Sequence, residues 1–315
     1  MTTVDHANQP ELHPEFHPEH ILTPVLLGVD GQGSVQGVDQ ETEGGRALPR
    51  AFLKWAGGKS QLLPKILPRL PKRIGTYFEP FVGSGAVFWA LAREGRFDHA
   101  VLSDRNAELI TSYRAIRDDV EDVIALLAGW SHSESFYYAL RARDPEAMSP
   151  VEAAARMIHL NHTGFNGLYR VNKSGLFNVP FGRYKRPRTL NKPVLRAASR
   201  ALRTVDLLVA DFEDVLPAAR PGDAVYFDPP YVPMSGTASF TAYEKSGFGE
   251  PAQRRLVLAL EDLQRRGVHA LLSNSDVPLT RELYQGLRCE KVQARRAINS
   301  RADKRGPVSE LLVSV

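Results

Sequence analysis

Between residues 76 and 104 the chain alternates in a way that few architectures satisfy. Thr76-Tyr77-Phe78-Glu79 reads as a short buried strand, followed by a glycine turn at Gly83-Ser84-Gly85 and a helix over about 86–93. Ala100-Val101-Leu102-Ser103 then reads as a second strand, ending in Asp104, with another helix from about Ala107. A helix between two strands is a crossover, which makes the strands parallel and starts an α/β sheet. Further strand-like runs stand at 207–210, 224–227 and 270–273, with an amphipathic helix over about 251–266. Helical patterns dominate 119–160 instead, and the stretch after them is rich in turns. The sheet is therefore expected to be assembled from residues 50–104 and 191–315, with 105–190 inserted as a second, mainly helical domain. Residues 1–49 are rich in His, Pro, Glu, Gln and Gly without any sustained period, and read as a disordered extension. Ile21 to Val29 is the one strand-like run there, and His6, His13, His17 and His20 lack the paired spacing of a metal site.

Charge separates these parts. The formal net charge is +4, yet residues 1–49 carry eight acids against Arg46 alone, so the remainder is strongly basic. Residues 153–205 contain eleven Lys or Arg and no Asp or Glu. A solvated face normally mixes both signs, so a window without acids fits a surface for a polyanion, most simply nucleic acid. No apolar run approaches the roughly 20 residues that span a bilayer, and the N-terminus lacks a basic start followed by an apolar stretch, so a cytoplasmic location is expected. The single cysteine, Cys289, excludes an intramolecular disulfide and leaves no basis for a cysteine zinc site.

Three motifs carry the chemistry. Gly57-Gly58-Lys59-Ser60 has the look of a phosphate cradle, but a P-loop needs a glycine where this chain has Leu53, and a buried strand before it. It reads instead as a turn before a helix starting near Ser60. Glu79-Pro80-Phe81-Val82-Gly83-Ser84-Gly85 lies at the carboxyl edge of the first strand, where open α/β sheets bind ligands. It lacks the third glycine of a dinucleotide fingerprint and reads equally as a tight turn. Asp104 could accept hydrogen bonds from both hydroxyls of a ribose, or cap the following helix. The sharpest signal is Asp228-Pro229-Pro230-Tyr231, directly after a predicted strand. Two prolines leave rigid carbonyl acceptors beside a carboxylate and an aromatic ring. That set suits an exocyclic amino group: its two N–H bonds go to acceptors, its lone pair faces an electrophile, and Tyr231 stacks on the base.

Lys54-Trp55-Ala56-Gly57-Gly58-Lys59, Glu79 to Gly85 and Asp228 to Tyr231, in this order with an insertion before the last, resemble the Dam family of DNA adenine-N6 methyltransferases. So do Asn166-Gly167-Leu168-Tyr169-Arg170-Val171-Asn172, Phe177 to Lys185, and Phe240-Thr241-Ala242-Tyr243. The resemblance covers about residues 50–315. It implies a Rossmann-like methyltransferase core with an inserted DNA target-recognition domain, S-adenosylmethionine as methyl donor, and an adenine flipped out of double-stranded DNA, its amino group being paired inside the helix. It implies that Trp55, Lys59, Glu79, Phe81, Gly83, Gly85, Asp104 and Asp228 contact the cofactor or the reaction centre. Asp228, Pro229, Pro230 and Tyr231 would form the catalytic motif, with in-line methyl transfer and no covalent enzyme intermediate.

For the insertion, the resemblance implies that Lys54, Leu168, Arg170 and Pro180 read bases of the palindrome GATC. Arginine suits a bidentate bond to guanine, and Leu and Pro suit a thymine methyl. Phe165 matches a residue that wedges into the duplex, often Tyr in the family, and Asn166 one that supports the opened site. Arg183, Lys185, Arg186 and Arg188 would contact phosphates. A monomer in solution with no metal requirement is expected. Two alternatives stay open from sequence: a cytosine-N4 methyltransferase, which commonly has Ser where Asp228 stands, and a DNA-binding protein that has lost catalysis. A cytosine-C5 enzyme needs a thiolate nucleophile, usually in a Pro-Cys pair, and Cys289 follows Arg288.

Overall fold

A computed structural model of the chain describes residues 47–232, 248–295 and 307–315. The expectations for residues 1–46, including Ile21 to Val29 and the four histidines, and for Phe240 to Tyr243, lie outside the described residues.

Among the described residues the sheet has seven strands: β1 (Ile74–Glu79), β2 (Phe97–Asp104), β3 (Val205–Val209), β4 (Ala224–Phe227), β5 (His269–Ser275), β6 (Arg288–Arg295) and β7 (Pro307–Ser314), in the order β3-β2-β1-β4-β5-β7-β6. β1 to β5 run parallel, and β7 runs antiparallel to both β5 and β6. Side chains alternate across each strand, as the two-residue period of a strand requires. Tyr77, Ala100, Leu102, Tyr226 and Leu271 enter one core cluster; Phe78, Val101, Val225, Phe227 and Leu272 enter another on the opposite face. Each fully buried Phe or Leu stabilises the fold by about 1.5–3 kcal/mol.

Helices close both faces. After the short α1 (Leu63–Ile66), α2 (Ala86–Glu94) buries Val87, Phe88, Trp89, Ala90 and Leu91. Next come α3 (Ala107–Asp118), α4 (Val120–Gly129), α5 (Glu134–Ala142), α6 (Pro150–Thr163) and α7 (Lys192–Leu202). α3, α4, α6 and α7 supply residues to the cluster that backs β1 and β2. α8 (Glu250–Arg265) covers the other face through Leu256, Leu260 and Leu263, and α9 (Pro278–Leu283) precedes β6. α6 starts on a capping box of Ser149 and Glu152 with Pro150 at its first position. Residues 164–190 have little regular structure. Isolated bridges Gly164↔Phe181 and Val171↔Phe177 shape them, and a smaller cluster of Tyr137, Leu140, Leu160, Phe177 and Val179 anchors them to α5 and α6.

Candidate active site

The strand order reverses between β1 and β4: from β1 the chain winds outward through β2 and β3, and from β4 through β5. The carboxyl ends of such strands diverge and leave a crevice, the usual ligand site of open α/β sheets. Here that crevice is a cavity of about 390 Å³, lined by Trp55, Lys59, Glu79, Phe81, Gly83, Asp104 and Asp228, together with Pro229, Pro230 and Tyr231. Of the residues expected to bind cofactor, only Gly85 stays out of the lining. It stands behind the wall at φ +67, as the left-handed residue from which α2 starts.

Gly83 explains the open turn. It has φ +46, and a Cβ there would come within 2.8 Å of Trp55 Cδ1, so the indole lies against bare backbone. Asp104 Oδ2 accepts from Gly83 N at 3.2 Å and Oδ1 from Asn106 N at 3.0 Å, which ties the end of β2 to this turn. The helix cap is Asn106, whose side chain accepts from Leu109 N, so the capping alternative for Asp104 falls away. Glu79 Oε2 accepts from the Tyr77 hydroxyl at 2.8 Å and Phe88 N at 3.0 Å. Burial pushes its carboxyl up to about 8, so it holds a proton at neutral pH.

Asp228, just past β4, forms an ion pair through Oδ1 with Lys59 Nζ at 2.6 Å; the side chains are 20 % and 6 % exposed. The same ammonium donates to Gly57 O at 2.6 Å and lies 4.5 Å from the centroid of the Tyr231 ring. The lysine is thereby committed to a carboxylate, which removes it from the role of a phosphate ligand. The turn expected before a helix near Ser60 is there: Gly57 and Gly58 lead into the 3₁₀ turn Lys59–Gln61, and α1 follows from Leu63. Burial raises the Asp228 carboxyl and Lys59 opposes that shift. The Pro230 carbonyl accepts from Gln253 Nε2 at 3.1 Å, whereas no donor among the described residues reaches the Pro229 carbonyl. The Tyr231 hydroxyl donates to Glu310 Oε2 at 2.7 Å. Sequence reasoning missed Gln253 and Glu310. They lie far along the chain from the motif they hold, on α8 and β7, and nothing local marks them.

The residues expected to meet DNA gather after α6. Phe165 is 48 % exposed, on a 3₁₀ turn in which Asn166 takes φ +55, and Phe165 N donates to Pro180 O at 2.9 Å. Arg170 Nε donates to Asn178 Oδ1 at 2.7 Å, and Arg170, Pro180, Arg183 and Lys185 are exposed while Leu168 is half-buried. Lys54 is brought beside them: its ammonium sits 5.4 Å from the Tyr184 ring centroid, and Asn161 bonds both its N and its O. Lys54 lines a second cleft, of about 540 Å³, with Arg50, His162, Tyr184, Arg186 and Arg188, and no acid takes part in that lining. Among the described residues no group of His, Cys, Asp and Glu could hold a metal ion, and no helix is long and apolar enough to cross a membrane.

A seven-stranded, Rossmann-like sheet carrying an acceptor-rich Asp-Pro-Pro-Tyr motif at its switch point defines the class as a methyltransferase acting on an amino group. The family model of the D12 class N6 adenine-specific DNA methyltransferases matches residues 55–298, and the chain belongs to that family. It is 41 % identical over 273 residues to the type II methyltransferase M1.LlaDCHI of Lactococcus lactis subsp. cremoris, covering 84 % of this chain and 95 % of that protein. The type II methyltransferase M.MjaIII of Methanocaldococcus jannaschii is 40 % identical over 283 residues, with 84 % and 98 % covered. The DNA adenine methylase of Escherichia coli (strain K12) is 38 % identical over 267 residues, with 84 % and 94 % covered. The chain is thus an adenine-N6 DNA methyltransferase, which decides against the cytosine-N4 and inactive alternatives. Enzymes of this kind use S-adenosylmethionine in general, and DNA is their substrate.

Proposed function

We propose that this enzyme methylates adenine within the duplex sequence GATC, with the 390 Å³ cavity as its cofactor site and the Asp228 end of that cavity as its reaction centre. The observation that carries the reading is the convergence of Asp104, Gly83 and Asp228 on one cavity at the switch point. Its volume lies within the roughly 300–1,000 Å³ of small-molecule sites. The donor and acceptor set fits S-adenosylmethionine. Asp104 offers a carboxylate at the end of β2 for ribose hydroxyls, Trp55 and Phe81 offer apolar faces, and the bare Gly83 backbone lets a ligand approach. When bound, this group supplies a methyl already activated on a sulfonium, so the chain has to provide positioning and electrostatics.

Asp228 and the Pro229 carbonyl would accept the two amino protons of a flipped adenine, and the Tyr231 ring would stack on the base. Burial disfavours the Asp228 carboxylate, and the Lys59 ammonium at 2.6 Å opposes that and favours the ionised form. Asp228 then serves as an acceptor when the base arrives. We treat 105–190 as the target-recognition part, with Lys54, Leu168, Arg170 and Pro180 at base edges, Phe165 as the wedge supported by Asn166, and Arg183 and Lys185 on phosphates. The acid-free second cleft beside Lys54 supports that orientation, since a duplex backbone requires a positive surface.

The test is incubation with labelled S-adenosylmethionine and duplexes with or without GATC, followed by digestion to nucleosides. Label in N6-methyladenine from the GATC duplex alone is expected. Equal label in both duplexes would refute the GATC assignment.

A further inference from the structure

Tyr169 lies between Leu168 and Arg170, in the segment assigned above to DNA, yet its ring turns the other way. It stacks on Trp55 with centroids 5.2 Å apart and planes 20° from parallel. Its hydroxyl donates to Glu108 Oε2 at 3.1 Å. Glu108 Oε1 in turn accepts from Arg156 Nη1 at 2.6 Å, and Arg156, 2 % exposed, also donates to the carbonyls of Leu140 and Arg141. Glu108 stands in the first turn of α3, two residues after Asn106, which lines the cavity with Asp104. The indole of Trp55 is thus enclosed on two sides, by the backbone of Gly83 and by the ring of Tyr169.

A second connection runs through the backbone. Asn161 accepts from Lys54 N at 2.8 Å, donates to Lys54 O at 2.8 Å, and donates to Gly167 O at 3.2 Å. One side chain therefore ties the residue before Trp55 to the start of the same segment that carries Tyr169. The wall of the cavity at Trp55 rests on that segment both by side chain and by main chain.

We propose that Tyr169 is a positioning residue of the cofactor site: it holds the Trp55 indole against the Gly83 turn, in the orientation that receives S-adenosylmethionine or its demethylated product. This rests on the reading of the cavity as the cofactor site. A stacked aromatic pair stabilises its arrangement beyond the area it buries, and an indole free to turn away from the cavity weakens ligand binding. The consequence is that a substitution inside the DNA-reading segment produces a cofactor defect without any DNA present.

The experiment measures S-adenosylhomocysteine binding to the full chain, free of DNA, by calorimetry. Wild type, Trp55→Ala, Tyr169→Ala, Tyr169→Leu and Tyr169→Phe are compared, each with its melting temperature. Tyr169→Ala and Tyr169→Leu are expected to weaken binding about tenfold, while Tyr169→Phe, which keeps the stack, stays within about threefold. Tyr169→Leu fills the space without stacking and covers the case in which the alanine variant unfolds. Binding to Tyr169→Leu at wild-type affinity, with Trp55→Ala impaired, would overturn the proposal and leave the cavity reading intact. Absence of binding to wild type would overturn the cavity reading itself.

Discussion

Replacing Lys59 with methionine removes one half of the ion pair at the reaction centre and keeps the length of the side chain. The ammonium lies 2.6 Å from Asp228 Oδ1, so at an effective dielectric of 20 the lost attraction is about 6 kcal/mol. The variant also regains the desolvation penalty of the ammonium, and breaking a buried pair from one side costs a net 3–5 kcal/mol or so. That cost depends on pH in a defined direction. Burial already raises the Asp228 carboxyl, and Lys59 is the largest influence opposing it. Without Lys59 the folded carboxyl titrates at higher pH still, while the unfolded one is unchanged. A group raised in the folded state stabilises fully below its unfolded pKa and loses that stability as pH rises through the folded one. The melting-temperature deficit of Lys59→Met relative to wild type should therefore be smallest in acid and widen towards neutrality and above.

Thermal denaturation of wild type, Lys59→Met, Asp228→Asn and the double variant across pH checks this. The double variant carries no unpaired buried charge, so it should be more stable than the sum of the single losses implies, with a coupling of about 1–3 kcal/mol. At saturating cofactor, Lys59→Met should also show the acid limb of its pH–rate profile moved to higher pH, because catalysis needs the Asp228 carboxylate. A deficit that stays constant with pH, or single losses that simply add, would refute the claim that Lys59 favours the ionised form of Asp228.

The buried Glu79, with its carboxyl pushed up to about 8, should make the free protein lose stability as pH rises from about 4.5 to 8, by at most about 1.4 kcal/mol per pH unit. Glu79→Gln should flatten that slope in denaturant titrations. Glu310→Ala removes the acceptor of the Tyr231 hydroxyl, as Tyr231→Phe removes its donor, so each should lower kcat/KM by about fivefold to tenfold and the double variant no further. Arg170→Ala should relax discrimination at one base pair by roughly 1–3 kcal/mol, read as the kcat/KM ratio between GATC and singly altered duplexes; an equal loss on all of them would make it a phosphate contact.

The parallel core was legible because its signals are local. The strand expected over 224–227 is β4 to the residue, and the helix expected over about 251–266 is α8, Glu250–Arg265. The strands β6 and β7 escaped notice. β6 is the edge strand and β7 is inserted antiparallel between β5 and β6, a pairing chosen by tertiary contacts that no period announces. The site divides in the same way. Asp228, Tyr231 and Gly83 stand in motifs whose chemistry can be argued from residue types alone. Gln253, Glu310 and Arg156 act through long-range bonds to carbonyls and side chains, and a buried arginine or glutamine in a helical pattern reads like any surface one.

The Lys54-Trp55 pair shows what the folded chain adds to such a motif. Their side chains enter different clefts, Lys54 the acid-free one beside Tyr184 and Trp55 the cavity that holds Asp104 and Asp228. A single peptide unit therefore separates the two, and Asn161 fixes the backbone on both sides of Lys54 by bonding its N and its O, which belong to the two peptide units that flank it. Buried on α6, Asn161 has its side-chain oxygen and nitrogen both engaged, so it cannot yield one bond without leaving a polar atom unpaired at a cost of about 1–3 kcal/mol. Asn161→Ala should for that reason impair cofactor binding and DNA binding together, each measured with the other ligand absent. Loss of one with the other at wild-type strength would show that the two clefts are held independently.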